Sequence, residues 1–332
     1  MVRILSDSQV ADCLDLRDLL TVVREAFVKQ GRGEVERPDR PHFPVGAGLD
    51  GPDPAGTGLV MPAYLHGAAF YATKLVGVHE GNAERGLPTV NAQIALTEAG
   101  TGLPAAYLAG TRITNARTGC IGGLAAAELA VTPAPDSGLT LALVGAGTQA
   151  RWQARAIAAA TDLESVRVYS PSDSKEDCVA DLCEELDLPA DAIVTADSPE
   201  DAVRGADVVV TATTATEPVF PGGALDPGTL VVAVGAYTAE MRELDAETFE
   251  RASRVFADVP EEVAETGDAL GADLAADDLV AFSAALEGRT GRDSDDDILV
   301  VESVGTAVLD AAAAEYVFEE AEQSGVGTAV SL

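Results

Sequence analysis

The sequence predicts an α/β protein: its second half reads as a doubly wound parallel sheet, and its first half as a separate α+β unit. Three observations lead there. From about residue 139 onward, short apolar runs alternate with amphipathic helical stretches. Residues 32–58 are instead crowded with Gly and Pro, as in turns between short strands. The stretch 305–323 is one more helix, long enough to return to the first part. At 332 residues, 47% of them hydrophobic, the chain can bury two separate cores.

In order along the chain, residues 8–31 read as amphipathic helices. After the Gly/Pro-rich stretch, AAFYATKLVGV and TVNAQIALTEAGTGLPAAYLAG suggest antiparallel hairpins, with EAGTG as a turn. Residues 114–131 form a helix that bridges the two parts. LTLALV (139–144) is a buried strand, followed by GAGTQA and the alanine-rich helix RWQARAIAAAT. SVRVYS (165–170) is the next strand, and SKEDCVADLCEEL a helix with one apolar face. DVVVTAT (207–213), TLVVAVGA (229–236) and RVFADV (254–259) are further strands, and ILVVES (298–303) comes after an acidic, helical stretch at 260–290. This alternation predicts right-handed crossovers and a parallel sheet. The expected domains are 1–118 with 306–332, and 119–305 between them.

Charge is the outlying quantity: 55 acidic against 21 basic residues, a formal net of -34, with only Lys29, Lys74 and Lys175 as lysines. A mean hydropathy of +0.14 argues against disorder. The acids are spread along folded segments, which suits a hydrated surface adapted to high salt, as in a halophile; a basic partner or a metal-rich surface is the competing reading. Nucleic acid is excluded as a partner, because a phosphate backbone is repelled. No apolar run reaches the roughly 18 residues of a membrane span. The start, MVRILSDSQVADCLDL, meets acids too early for a signal peptide, so a cytoplasmic protein is expected. Cys13, Cys120, Cys178 and Cys183 form no CxxC pair, and His42, His66 and His79 are too scattered for a metal cluster, so no metal is expected.

The loop Gly145-Ala146-Gly147-Thr148-Gln149-Ala150 lies between a strand and a helix. In that setting Gly145 permits a tight turn and Gly147 lets backbone approach a pyrophosphate. Ala150 is small enough for helix–sheet packing, and the helix N-terminus faces the anion. The pattern predicts a Rossmann dinucleotide site holding NAD or NADP. An acid closing the second strand would mark NAD, and a nearby arginine NADP. Here Tyr169, Ser170, Pro171 and Ser172 stand instead, with Lys175 beyond. The missing carboxylate tilts the expectation toward NADP, with Ser170 and Ser172 as hydroxyls for a 2′-phosphate. Thr211, Thr213, Val234 and Gly235 end the next two strands, where ribose and nicotinamide pass; strand-end packing is the competing account.

At KLVGVHEGNAERGLPTV (74–90) and ITNARTG (113–119) the chain resembles the ornithine cyclodeaminase/mu-crystallin family. The resemblance continues through GAGTQA, VGAYTAEMRELD (234–245) and SVGTAVLD (303–310). It implies a substrate-binding and dimerisation domain beside the Rossmann domain, a homodimer, and nicotinamide chemistry on an amino or imino acid. It implies that Arg40 and Arg117 hold the substrate carboxylate, Arg117 lying beside the cofactor too, and that Lys74 moves protons near the α-nitrogen. A lysine on an apolar strand is unusual on its own account, and burial would lower its pKa toward a useful range. A guanidinium suits the carboxylate because it offers two parallel N–H donors. Thr89, Ser303 and Val304 match residues lining the cofactor, though a β-branched strand residue and a strand-end turn explain them as well. His79 matches a family histidine and reads equally as structural.

One departure bears on the reaction. Ornithine cyclodeaminases carry an aspartate where Tyr237 stands, and several members a lysine where Met241 stands. A neutral phenol cannot offer the same ion pair at Tyr237, the expected substrate-facing position. The expected activity is therefore an NAD(P)-dependent oxidoreductase acting at Cα of a small amino or imino acid, alanine dehydrogenase-like or ketimine reductase-like. Ornithine cyclodeamination to proline and ammonia, and non-catalytic NADPH binding, are the alternatives.

Overall fold

The computed structural model describes residues 1–49, 51–131 and 137–331. Its contacts divide the chain into two compact units, Met1–Arg117 with Ala307–Leu332, and Thr118–Thr306.

The first unit opens with β1 (Val2–Leu5) and the helices α1 (Asp7–Asp12) and α2 (Leu16–Gly31). Both helices begin on side-chain caps: Ser6 accepts from the Gln9 N–H, and Asp15 from the Arg17 and Asp18 N–H groups. Six strands come next: β2 (Val35–Glu36), β3 (His42–Val45), β4 (Gly56–Leu65), β5 (Phe70–Val78), β6 (Val90–Glu98) and β7 (Pro104–Ala109). The sheet runs from the chain's last strand (Thr328–Val330) through β1, β7, β6, β5 and β4 to β2, with β3 also on β4. Among the described residues of this sheet, only the β1–β7 pair is parallel. The turn at EAGTG closes β6 onto β7 with Gly102 at φ +73, and the Glu98 N–H donates to the Leu103 carbonyl.

Alternation along β5 sorts its side chains between two faces. Ala72, Lys74 and Val76 point to the covered face, while Tyr71 and Leu75 are exposed on the other. Helix Ala307–Ser324 packs on α2, β4, β5 and β6. It is buried along most of its length, so it covers that face as a core element.

Helix α3 (Gly110–Leu129) carries the chain into the second unit. There β8 (Leu139–Val144), α4 (Thr148–Ala160), β9 (Leu163–Tyr169) and α5 (Ser174–Glu185) begin the winding. β10 (Ile193–Thr195), β11 (Val208–Thr211), β12 (Leu230–Ala233), β13 (Ala252–Ala257), β14 (Val280–Ala281) and β15 (Ile298–Glu302) complete it. The order is β10-β9-β8-β11-β12-β15-β13-β14, and every pair is parallel. The last of these strands in sequence therefore inserts between β12 and β13.

The expected α/β class with a doubly wound parallel sheet is what the chain adopts. One stretch differs: 260–290 holds three short helices (Pro260–Val263, Gly267–Gly271, Phe282–Leu286), a 3-10 turn and the two residues of β14. Its Ala, Asp and Glu content suggests helix, but Pro260, Gly267, Gly271 and Gly288 cut the run too often for a long one.

Candidate active site

The first unit buries a charged cluster. Lys74, 2% exposed on β5, donates from Nζ to Asp310 Oδ2 at 2.5 Å. Arg117, buried on α3, donates from Nε to Asp310 Oδ1 at 2.9 Å, and the Thr114 hydroxyl lies 3.5 Å from the same oxygen. Asp310 sits in the first turn of helix Ala307–Ser324, where the helix dipole favours a carboxylate. Two buried cations thus share one anion, and Arg40 is near enough to act on Lys74 as well.

The electrostatics stem from that imbalance. Burial pushes the Lys74 ammonium down to about 8; Asp310 opposes this, and Arg117 and Arg40 reinforce it. Burial alone would raise the Asp310 carboxyl, but Arg117 and Lys74 outweigh it and hold the group below its ordinary value. The cluster has surplus positive charge and a lysine able to exchange a proton near neutrality. Such a cluster suits a small anion that also needs proton transfer.

In the second unit, the Gly145 backbone is left-handed at φ +113. A Cβ there would stand 2.6 Å from the Ala212 carbonyl of the neighbouring strand end, so glycine is required. Gly147 caps α4 without any side-chain hydrogen bond, and a Cβ on it would meet nothing within 4 Å. Arg151 donates to the carbonyls of Ala146 and Gly147 from the helix side. The start of a 13-residue helix thus opens on space that a pyrophosphate can enter. These features fit a dinucleotide. Thr148 is exposed at the helix start, and Gln149 is half-buried behind it.

At the end of β9, the Ser170, Ser172 and Ser174 hydroxyls converge, Ser172 to Ser174 at 2.8 Å and Ser170 to the other two at 3.2 and 3.3 Å. Lys175 turns away from them, donating to the Ala196 carbonyl. Thr211 is wholly buried and gives its hydroxyl to Glu243, so its side chain supports the strand end from beneath. Ser303, also buried, gives its hydroxyl to Asp258, which accepts from the Val304 and Gly305 N–H groups too. Thr213, Val234 and Gly235 lie half-buried at the ends of β11 and β12. Tyr237, 41% exposed, lies in the loop after β12.

The structure therefore brings Lys74, Arg117 and Arg40 together in one unit, and the glycine loop and strand ends in the other. Thr89 is exposed ahead of β6, its carbonyl accepting from the His79 N–H. The His79 ring packs on Gly56 and Gly77, where Cβ atoms would collide with or crowd it. That is a structural role.

A parallel doubly wound sheet with a glycine loop at its first crossover, in one chain with a buried lysine–aspartate–arginine cluster, defines a class: nicotinamide-dependent oxidoreductases. Within it, the chain belongs to the ornithine cyclodeaminase/mu-crystallin family, whose sequence profile matches residues 2–325. It is 33% identical over 301 residues to a Bacillus cereus Delta(1)-pyrroline-2-carboxylate reductase, covering 89% of this chain and 90% of the relative. An Archaeoglobus fulgidus alanine dehydrogenase is 29% identical over 336 residues, covering 99% and 98%. Among solved structures, Thermococcus litoralis Delta(1)-pyrroline-2-carboxylate reductase in complex with NADH and L-proline matches with a TM-score of 0.91 at 30% identity, over 99% of this chain and 100% of the other. An archaeal alanine dehydrogenase dimer with bound NAD matches with a TM-score of 0.88 at 27% identity, over 100% and 99%. Among the described residues no helix is long and apolar enough to cross a membrane.

Proposed function

We propose that this chain is an NAD(P)-dependent oxidoreductase acting at Cα of a small amino or imino acid, either reducing a cyclic ketimine or oxidising an alanine-like amino acid. The buried Lys74–Asp310–Arg117 cluster carries the reading. Arg117 and Arg40 supply the cations for the substrate carboxylate, and Asp310 fixes the Arg117 guanidinium through Nε. Lys74 delivers a proton to the substrate nitrogen in reduction and removes one in oxidation. A bound nicotinamide supplies or takes up the hydride at Cα. The relatives named as acting on pyrroline-2-carboxylate and alanine support this substrate class. Tyr237 in place of an acid weighs against ornithine cyclodeamination.

Gly145, Gly147, Thr148 and Gln149 are the proposed pyrophosphate contacts, with Thr213, Val234 and Gly235 along the ribose and nicotinamide. The three-serine cluster at β9, with no carboxylate closing that strand, favours NADP over NAD by accommodating a 2′-phosphate. A Ser172→Asp variant is expected to shift preference toward NADH, read as the ratio of the two dissociation constants. An unchanged ratio would remove Ser172 from the site.

The deciding assay supplies NADH or NADPH with pyrroline-2-carboxylate, and separately with pyruvate and ammonia, in molar KCl. Oxidation of the reduced cofactor in either mixture is expected, with Lys74→Ala slower by about 10²–10⁴-fold, the usual range for a general acid. No turnover in both mixtures would sink the proposal. Tight NADPH binding with turnover insensitive to Lys74→Ala would point to a binding protein.

A further inference from the structure

We infer that Glu243 is a positioning residue for the dinucleotide: its carboxylate clips the carboxyl ends of β11 and β12 together beneath the nicotinamide end of the cradle, and the clip closes in the ionised form. This rests on the reading of the second unit as the dinucleotide domain.

Both oxygens of the wholly buried Glu243 are engaged. Oε2 accepts from the Thr211 hydroxyl at 3.0 Å and the Gly235 N–H at 2.8 Å, and Oε1 accepts from the Thr213 N–H at 2.6 Å. Two of these donors end one strand and the third ends its neighbour. Gly235 permits the approach: a Cβ on it would stand 2.5 Å from Glu243 Oε1 and would collide with the Thr213 carbonyl. The clip is itself anchored. The Glu243 and Leu244 N–H groups donate to Asp268 Oδ1 at 2.8 and 2.7 Å, and the Glu243 carbonyl accepts from the Val219 N–H.

The three donors are neutral, and the charged groups gathered around this acid are mostly further acids. Asp268 lies on helix Gly267–Gly271 and Glu302 ends β15; Arg242 acts on Asp268, and Asp258, just after β13, acts on Glu302. Burial raises Glu243 to about 7 and Asp268 to about 6, and it lifts Glu302 well above the ordinary carboxylate range. Protonating Glu243 removes the charge that strengthens all three bonds, and a charge-assisted hydrogen bond is roughly twice as strong as a neutral one, so both strand ends are held more loosely. Near neutrality the cradle therefore passes between a loosened and a clipped form.

The test is fluorescence titration of NADH and of NADPH into the full chain between pH 6 and 8.5. Wild-type affinity is expected to strengthen several-fold as pH rises through about 7. Glu243→Gln keeps an acceptor oxygen but cannot ionise, and is expected to bind with no such slope. Thr211→Val removes one donor to the carboxylate and is expected to move the midpoint up by about one pH unit. If Glu243→Gln does not fold, as judged by circular dichroism, the Thr211→Val midpoint decides. Binding with the same pH slope and midpoint in wild type and variants overturns the clip and leaves the dinucleotide reading standing. No binding of either cofactor by wild type at any pH brings down that reading, and the clip with it.

Discussion

Lys74 Nζ and Asp310 Oδ2 stand 2.5 Å apart across 236 residues of chain, the one on a strand and the other on the helix that covers it. The contact joins the two chain segments of the first unit, so the cluster is complete only when both segments are packed together.

Removing the Asp310 charge is the sharpest test of that coupling. Asp310→Asn keeps the shape but leaves Lys74 and Arg117 as buried cations without their anion, and breaking such a pair costs about 3–5 kcal/mol. Thermal unfolding is expected several degrees lower than wild type. The Lys74 pKa should fall further, because Asp310 is what raises it. An unchanged melting temperature together with an unchanged pH–rate profile would show that the contact carries neither load.

The second prediction is the pH dependence of turnover. With Lys74 near 8, reduction needs the protonated form and should decline above about pH 8, while oxidation should rise to a plateau there. The same shift sets the stability window. The folded ammonium at about 8 loses its proton before the unfolded one at 10.5, so between those values the unfolded chain binds more protons. The Lys74 contribution to stability therefore rises with pH across that window, and below about 8 its burial counts against folding. Denaturant midpoints at pH 8 and 10, compared between wild type and Lys74→Met, measure the difference; equal differences at both pH values would contradict it.

Much of the fold and the site is legible in the sequence. The strands of the second unit announce themselves as runs such as LTLALV, and the glycine loop by its place between strand and helix. Lys74 stands out as a lone charge within the apolar run ATKLVGV, whereas Arg117 is marked only by the family resemblance. Asp310 escapes a reading by motif, although a lone acid in the apolar run TAVLDAAAA is a usable signal. Glu243 has none: among 55 acids, nothing local separates a buried carboxylate in AEMRELD from its solvated neighbours. The insertion of β15 between β12 and β13 is equally silent, because strand order is set by non-local pairing that leaves no mark on the strand itself.

The third prediction concerns salt. With a net charge of -34, self-repulsion opposes compaction, and the Debye length shortens from about 10 Å at 0.1 M to about 3 Å at 1 M. We infer a chain adapted to high salt, whose melting temperature and activity increase from 0.1 to 2 M KCl. A flat or falling response would contradict that adaptation.

The last prediction places the subunit contact. On the sheet face away from helix Ala307–Ser324, Ile4 and Tyr107 are register neighbours on β1 and β7. Tyr107 pairs through Ala95 to Thr73 on β5, with Tyr71 and Leu75 two residues to either side on the same face. All four large side chains are 38–44% exposed. An apolar patch across four adjacent strands of a chain this acidic is costly to leave in water, and burying it against a second copy removes that cost. We propose a homodimer through this face. Light scattering after size exclusion is expected to give twice the 34.0 kDa chain mass for wild type. Leu75→Glu combined with Tyr107→Glu is expected to give the single-chain mass with the circular dichroism spectrum unchanged. A dimer that survives both charges would move the contact elsewhere.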